Sequence, residues 1–355
     1  MMRLISISGE MKLKILLASM VLLICCRKED NIFSEHSSDT FFVENKGSSM
    51  RVLVEGNTAG KVFILLIHGG PGASAYVYNT DYISHNLEDK YAMVYWDQRN
   101  SGASQGNCNG SDLTFEQIVD DLAKVIQVLK IRYGNDIDLF LLSHSFGGLV
   151  ASGFLTKGNN QNLFKGYINV DGSHNYPLND TLTRNMLLTI GNQELANNHH
   201  VDDWNEIIDY CNFHTGNFTF HESHKLEKYA SQAEDYIESV KQIKYFPIIL
   251  GSSISGRYPI TSMLVNLLYS ENSDINKEIS KLEFSSSLSR ITIPVLVLFG
   301  KYDFVCPPEL GLDFYARISS PEKKMVISPV SGHNLIYQDS ELFTGEVTAF
   351  VEKFR

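Results

Sequence analysis

No block of lysines and arginines interrupts this chain of 355 residues, in which 30 basic side chains stand against 41 acidic ones for a formal charge of −11. With a pI near 5.5, such a surface repels phosphate backbones, so nucleic acid is not an expected partner. Cysteine is scarce, with five in all. Three of them, Cys108, Cys211 and Cys306, lie beyond the N-terminal segment and show no metal-ligand spacing, which argues against a structural zinc site. One disulfide among the three could form in an oxidising compartment. No internal repeat is visible. The apolar run Ile15 to Ile24 is too short for a comfortable membrane span. What remains is the composition of a globular chain, 43% hydrophobic and 20% charged, long enough for one large domain or a domain carrying an insertion.

The N-terminus reads as a processing signal rather than as part of the fold. Lys12 and Lys14 precede the apolar run "ILLASMVLLI", and Cys25 and Cys26 follow it. "LICC" resembles a bacterial lipobox, with Cys25 where a small residue is usual, which makes Cys26 the expected lipidated N-terminus of a mature chain. "RKED", Arg27 to Asp30, resembles a signal for surface export of lipoproteins. Met11 is a second candidate for the initiator. These features imply a signal segment over 1–26, a polar tether over 27–40, and a body held outside the cytoplasm at the bacterial cell envelope, touching membrane only through its lipid.

Beyond the tether, short apolar runs alternate with amphipathic helical patterns, the rhythm of a mostly parallel sheet covered by helices. "FFVENKGSSMRVLVEG", Phe41 to Gly56, predicts an antiparallel pair at the sheet edge. Buried strands are predicted at Val62–His68, Tyr91–Trp96, Ile137–Ser143, Tyr167–Asp171, Pro294–Gly300 and Lys324–Ser328. A helix is predicted with Phe115, Ile118, Val119, Leu122, Val125, Ile126 and Leu129 on one face, a capping box of Thr114 and Gln117, and a stop at Gly134. A last helix follows Asp339. From 178 to 290 helical periods dominate, as in Trp204, Ile207, Ile208 and Cys211, so this segment reads as a helical cap between the sixth and seventh strands, with 41–177 and 291–355 as the core.

"LLSHSFGGLV", Leu141 to Val150, places two serines around a histidine between an apolar run and a glycine pair. A strand that turns sharply into a helix can hold a nucleophile at its tip, provided the residues two before and two after are small. For Ser145 those neighbours are Ser143 and Gly147; for Ser143 they would include Leu141, which would clash. Ser145 is therefore the candidate nucleophile, and His144 is expected to face away from the tip as a packing or supporting residue. "HGGPG", His68 to Gly72, leaves another strand end, where glycine lets backbone amides approach a substrate oxygen. Gly70 and Phe146 are the expected oxyanion donors, with Gly69 as the alternative.

Asp303 in "VLFGKYD" and His333 in "VSGHN" each follow a strand, giving the chain order Ser, Asp, His. A serine hydroxyl is a weak nucleophile at neutral pH; it needs an imidazole base, and that base needs a carboxylate to orient it. His199 and His200 sit in a polar run and read as solvated rather than as metal ligands. No metal or cofactor is called for.

From Phe41 to Arg355 the chain resembles an α/β-hydrolase, and "HGGPG" with "YWDQRNSGAS" resembles the prolyl iminopeptidase branch. Asn100 and Phe146 stand where that branch shows Gly and Trp. The resemblance implies an α/β-hydrolase fold, cleavage of an N-terminal residue from short peptides, and cap carboxylates that bind the substrate's amine, for which Glu194, Glu206, Glu222 and Glu234 are candidates. Asp97, Gln98 and Arg99 are expected to support the site rather than react. Ester hydrolysis is the alternative chemistry, and a non-catalytic ligand-binding surface lipoprotein the alternative of another class. Epoxide or haloalkane hydrolysis would require an aspartate at position 145.

Overall fold

The computed structural model describes residues 33–104, 112–241 and 274–355. The predicted signal segment with Cys26, the residue Cys108 and part of the predicted cap lie outside the described residues. Among the described residues there are eight strands: β1 Ser37–Asn45, β2 Ser48–Gly56, β3 Val62–Ile67, β4 Ala92–Trp96, β5 Asp138–His144, β6 Gly166–Val170, β7 Val295–Gly300 and β8 Lys323–Ser328. They form one sheet in the order β1-β2-β4-β3-β5-β6-β7-β8. The pairings β1/β2 and β2/β4 are antiparallel, and all the others are parallel.

Strands β3, β4, β6 and β7 are buried at every residue, which is why their sequences read as continuous apolar runs rather than alternating ones: helices cover both faces. Strand β1 differs. It is one edge of the sheet and mostly accessible, and it begins at Ser37, so it takes in the last residues of the predicted tether over 27–40; β8, predicted as a buried strand, is the other edge and is mostly accessible too, because no strand covers its outer side. Its polar start, Ser-Ser-Asp-Thr, pairs with β2 from Gly56 to Leu53, and Asp39 accepts a hydrogen bond from Tyr133 Oη at 2.6 Å.

Helix α1, Phe115–Tyr133, buries all seven predicted inward residues. Thr114 Oγ1 accepts from Gln117 N at 3.2 Å, but the Gln117 side chain donates to Asp121 instead of returning to Thr114, so only half of the expected capping box forms. Gly134 ends the helix with φ 96°, a conformation glycine adopts without strain. Helix α2, Gly147–Leu155, runs from the end of β5 and is buried almost throughout.

The cap contributes α3 Tyr176–Ala196, α4 Val201–Phe213, α5 Phe220–Asp235 and the short α6 Asp274–Ile279. It owns a separate apolar cluster around Trp204, Leu187, Tyr229 and Ala233. Phe304, which follows β7, belongs to that cluster and so plugs the core domain into the cap. Helices α7, Pro308–Arg317, and α8, Ser340–Phe354, complete the layers. Cys211 and Cys306 are buried free thiols.

Candidate active site

Ser145 stands between β5 and α2 with φ 56°. A non-glycine residue in the left-handed region stores about 1–3 kcal/mol of strain, held here by the surrounding packing. The close approach that demands glycine at 147 comes from β3: a Cβ there would collide with the Ile67 carbonyl oxygen. At 148 a Cβ would lie 2.6 Å from the Ser173 carbonyl oxygen. The tightest crowding therefore comes from neighbouring backbone, not from residue 143 as the sequence suggested. Ser143 has its own partner, since its Oγ lies 2.7 Å from the Tyr167 hydroxyl in a fully buried contact.

Three strand ends bring the predicted side chains together. His333 Nε2 lies 2.9 Å from Ser145 Oγ, and His333 Nδ1 lies 2.9 Å from Asp303 Oδ2. Burial lowers the His333 pKa to about 4, against the nearby Glu227 carboxylate that raises it. The ring is thus neutral at ordinary pH, the form that can accept a proton. Burial also pushes the Asp303 carboxyl up, while the amides of Cys306, at 2.6 Å, and Val305 pull it back. With two backbone donors and the His333 ring converging on it, the ionised carboxylate is the form that satisfies this geometry.

His144 does more than pack. Burial, reinforced by His333, lowers its pKa to about 3, so the ring is neutral. Its Nε2 lies 2.8 Å from the His333 carbonyl oxygen and must carry the proton. Nδ1 is then the acceptor for the Tyr78 hydroxyl at 2.8 Å. Tyr78 in turn accepts from Gly69 N at 3.3 Å. The Gly69 amide is engaged, whereas Gly70 and Phe146 border the cavity beside Ser145. Phe146 caps α2, so its amide is among the first-turn donors that the helix itself leaves unpaired.

Asp97, Gln98 and Arg99 hold these loops in place. Asp97 accepts from Ser74 Oγ at 2.8 Å and from Ala75 N at 2.9 Å, and it pairs with Arg51 at 2.7 Å. Gln98 brackets His68 through two hydrogen bonds. Arg99 grips Asp121 through Nε and Nη2, with both side chains buried. Asp171, fully buried after β6, was not anticipated from the sequence; it accepts from Gly300 N at 2.9 Å and Leu335 N at 3.2 Å, tying the end of β7 to the segment just after His333.

Above Ser145 lies a cavity of about 250 Å³ walled by Phe146, Leu149 and Ile279 on its apolar side. None of the four predicted cap carboxylates lines it. Glu194 pairs with His199 at 2.9 Å, Glu206 accepts from Tyr229 at 2.7 Å, Glu222 closes the N-terminal capping box of α5, and Glu234 accepts from the His333 amide at 2.9 Å. Two other acids face the space, Asp180 on α3 and Glu227 on α5. Burial raises Asp180 to about 7, opposed by the Ser223 hydroxyl and assisted by Glu227. Burial raises Glu227 too, against His224, which lies 3.9 Å away; its side chain lines the cavity and keeps 48% of its surface accessible. The only sequence signal for Glu227 was its place beside the inward-facing Leu226.

Residues 62–340 match the model of the alpha/beta hydrolase fold family. The chain is 20% identical over 302 residues to a probable aminopeptidase of Bacillus subtilis, covering 84% of this chain and 91% of the relative. It is 24% identical over 316 residues to a proline iminopeptidase of Pestalotiopsis fici, covering 88% and 99%. An esterase structure from Exiguobacterium antarcticum superposes with a TM-score of 0.59 at 16% identity, covering 88% of this chain and all of the esterase. The strand order, the strained turn at Ser145 and the span of the family match agree, and the chain belongs to the alpha/beta hydrolase fold family.

Proposed function

We propose that the protein is a serine hydrolase that removes an N-terminal residue from short peptides through an acyl-enzyme. The observation that carries this reading is a Ser145–His333–Asp303 chain with both contacts at 2.9 Å, opening onto a cavity that holds two carboxylates. Ser145 Oγ attacks the substrate carbonyl as its proton passes to His333 Nε2, and Asp303 stabilises the cation that forms. The amides of Gly70 and Phe146 receive the negative oxygen of the tetrahedral species. His333 returns the proton to the departing amine as the C–N bond breaks. Water then enters by the same route in reverse, and the freed acid leaves.

Asp180 and Glu227 favour a substrate that carries an ammonium group next to the scissile carbonyl. A cation between them lowers the cost of keeping both ionised, which an uncharged ester cannot do. The cavity lies below the roughly 300–1,000 Å³ of drug-sized sites, which suits a short substrate. Aminopeptidase and proline iminopeptidase names among the similar proteins support the same class. Cys26 as a lipidated N-terminus belongs to the proposal on the lipobox alone, and a Cys26→Ser variant with unchanged mature mass would remove it.

The test compares aminoacyl-naphthylamide with p-nitrophenyl ester hydrolysis by the purified protein, together with labelling by a fluorophosphonate. Wild type should label and should prefer the aminoacyl substrate, and Ser145→Ala should do neither. An unlabelled wild type would mean a ligand-binding protein, and preference for the ester would give the site to ester hydrolysis.

A further inference from the structure

Glu234 lies near the C-terminal end of α5, buried where the cap meets the core. Its Oε1 accepts from His333 N at 2.9 Å, and the same carboxyl accepts from the amide of Phe304. These two amides belong to the residue that carries the base and to the residue that follows Asp303. One cap side chain thus bridges the loops that present both members of the pair. The loop is shaped to receive it, because a Cβ on Gly332 would collide with Glu234 Oε2. A second strut runs in parallel: Gln338 accepts from Gly332 N at 2.8 Å and donates to the Lys241 carbonyl oxygen at 3.2 Å. Phe304 itself packs against Trp204 with ring centroids 6.1 Å apart.

We infer that Glu234 is a positioning residue supplied by the cap, one whose carboxyl sets the separation of the Asp303 and His333 loops and so the contact between His333 and Ser145. The inference rests on the proposed roles of those three residues. A carboxylate here is a costly way merely to fill space, since it lies close to Asp303 and its ionisation is opposed both by burial and by that neighbour. What a glutamate offers is reach to two amides at once. Because His333 touches Ser145 through a single ring nitrogen, a displacement of its backbone by about 1 Å is enough to cost on the order of a hundredfold in rate.

The test separates reach from charge. Glu234→Gln keeps the length and one acceptor oxygen, whose two lone pairs can serve both amides; Glu234→Asp keeps the charge but falls one methylene short. Both are assayed for fluorophosphonate labelling rate and for kcat and KM on a p-nitrophenyl ester, with thermal unfolding confirming that each variant is folded at the assay temperature. Glu234→Gln is expected to label within about 3-fold of wild type, and Glu234→Asp to lose about 10-fold or more in labelling and kcat with KM little changed. An Asp variant that labels at the wild-type rate, or a Gln variant that loses as much as the Asp variant, would overturn the inference. If wild type itself does not label, the serine-hydrolase reading fails first, and the two failures are told apart.

Discussion

Asp180→Asn is expected to stabilise the folded protein at pH 8 while weakening its hold on an amine. Burial at the cavity wall, with help from Glu227, raises the Asp180 carboxyl from 3.8 to about 7. An acid whose folded pKa exceeds its unfolded pKa binds more protons when folded, so its ionisation opposes folding. That opposition is absent below about pH 4, grows between pH 4 and 7 and levels off above 7, following the two pKa values. At 1.36 kcal/mol per pKa unit, the interval from 3.8 to about 7 sets a ceiling of about 4 kcal/mol. Local relaxation brings the expected gain to roughly 1–3 kcal/mol. Asparagine keeps an acceptor for the Ser223 hydroxyl, which lies 2.8 Å from Asp180 Oδ1, so the packing is conserved while the charge is lost. Chemical denaturation of both proteins at pH 5 and pH 8 reads the effect, and the variant's advantage should be larger at pH 8. In the same preparations KM for an aminoacyl-naphthylamide should rise at pH 8 while KM for an ester holds. A stability difference that is flat across this range, or that shrinks as pH rises, would refute the reasoning.

His333 must be neutral to accept a proton, and burial lowers its pKa from 6.5 toward about 4. Ester turnover should therefore persist below pH 6.5 and fade only as the medium becomes more acidic; half-loss at or above pH 6.5 in a pH–rate profile would count against this. At the other end of the elbow, Ser143→Gly leaves the buried Tyr167 hydroxyl without its partner, and Tyr167→Phe strands Ser143 Oγ. Each single change should cost about 1–3 kcal/mol, while the double variant should cost less than their sum, as a double-mutant cycle in denaturant would measure; strict additivity would mean the contact carries no energy.

The sheet was legible because each central strand is buried on both faces and so spells itself as an apolar run. Val62–Ile67 and Val295–Gly300 fall within their predicted spans, at most one residue short at either end. Ser145 and Asp303 follow such runs, whereas His333 follows β8, an accessible edge strand that its Met-Val-Ile stretch still spells as a strand; the parallel sheet delivers all three strand ends to one side. The edge strand was harder. Ser37 to Thr40 are polar because β1 faces solvent along much of its length, and polar residues that follow a predicted signal segment look like a linker. The cavity acids were missed for a related reason. On a helix an acid beside an apolar stripe usually points to water, and only the placement of α3 and α5 over Ser145 turns Asp180 and Glu227 inward. Likewise Glu234 is one of four cap carboxylates that the sequence offers for an amine, and the His333 amide occupies it instead.

Glu227 and Glu234 are seven residues apart on α5, two turns of one rigid rod about 10 Å long. One end fronts the cavity and the other accepts from the His333 amide, so replacing the whole helix changes both at once. On the proposed roles of Glu234 and His333, grafting a foreign helix here to redirect selectivity would also detune proton transfer. An engineer seeking a new preference at unchanged turnover should vary positions 180 and 227 singly and leave the far end of the rod alone.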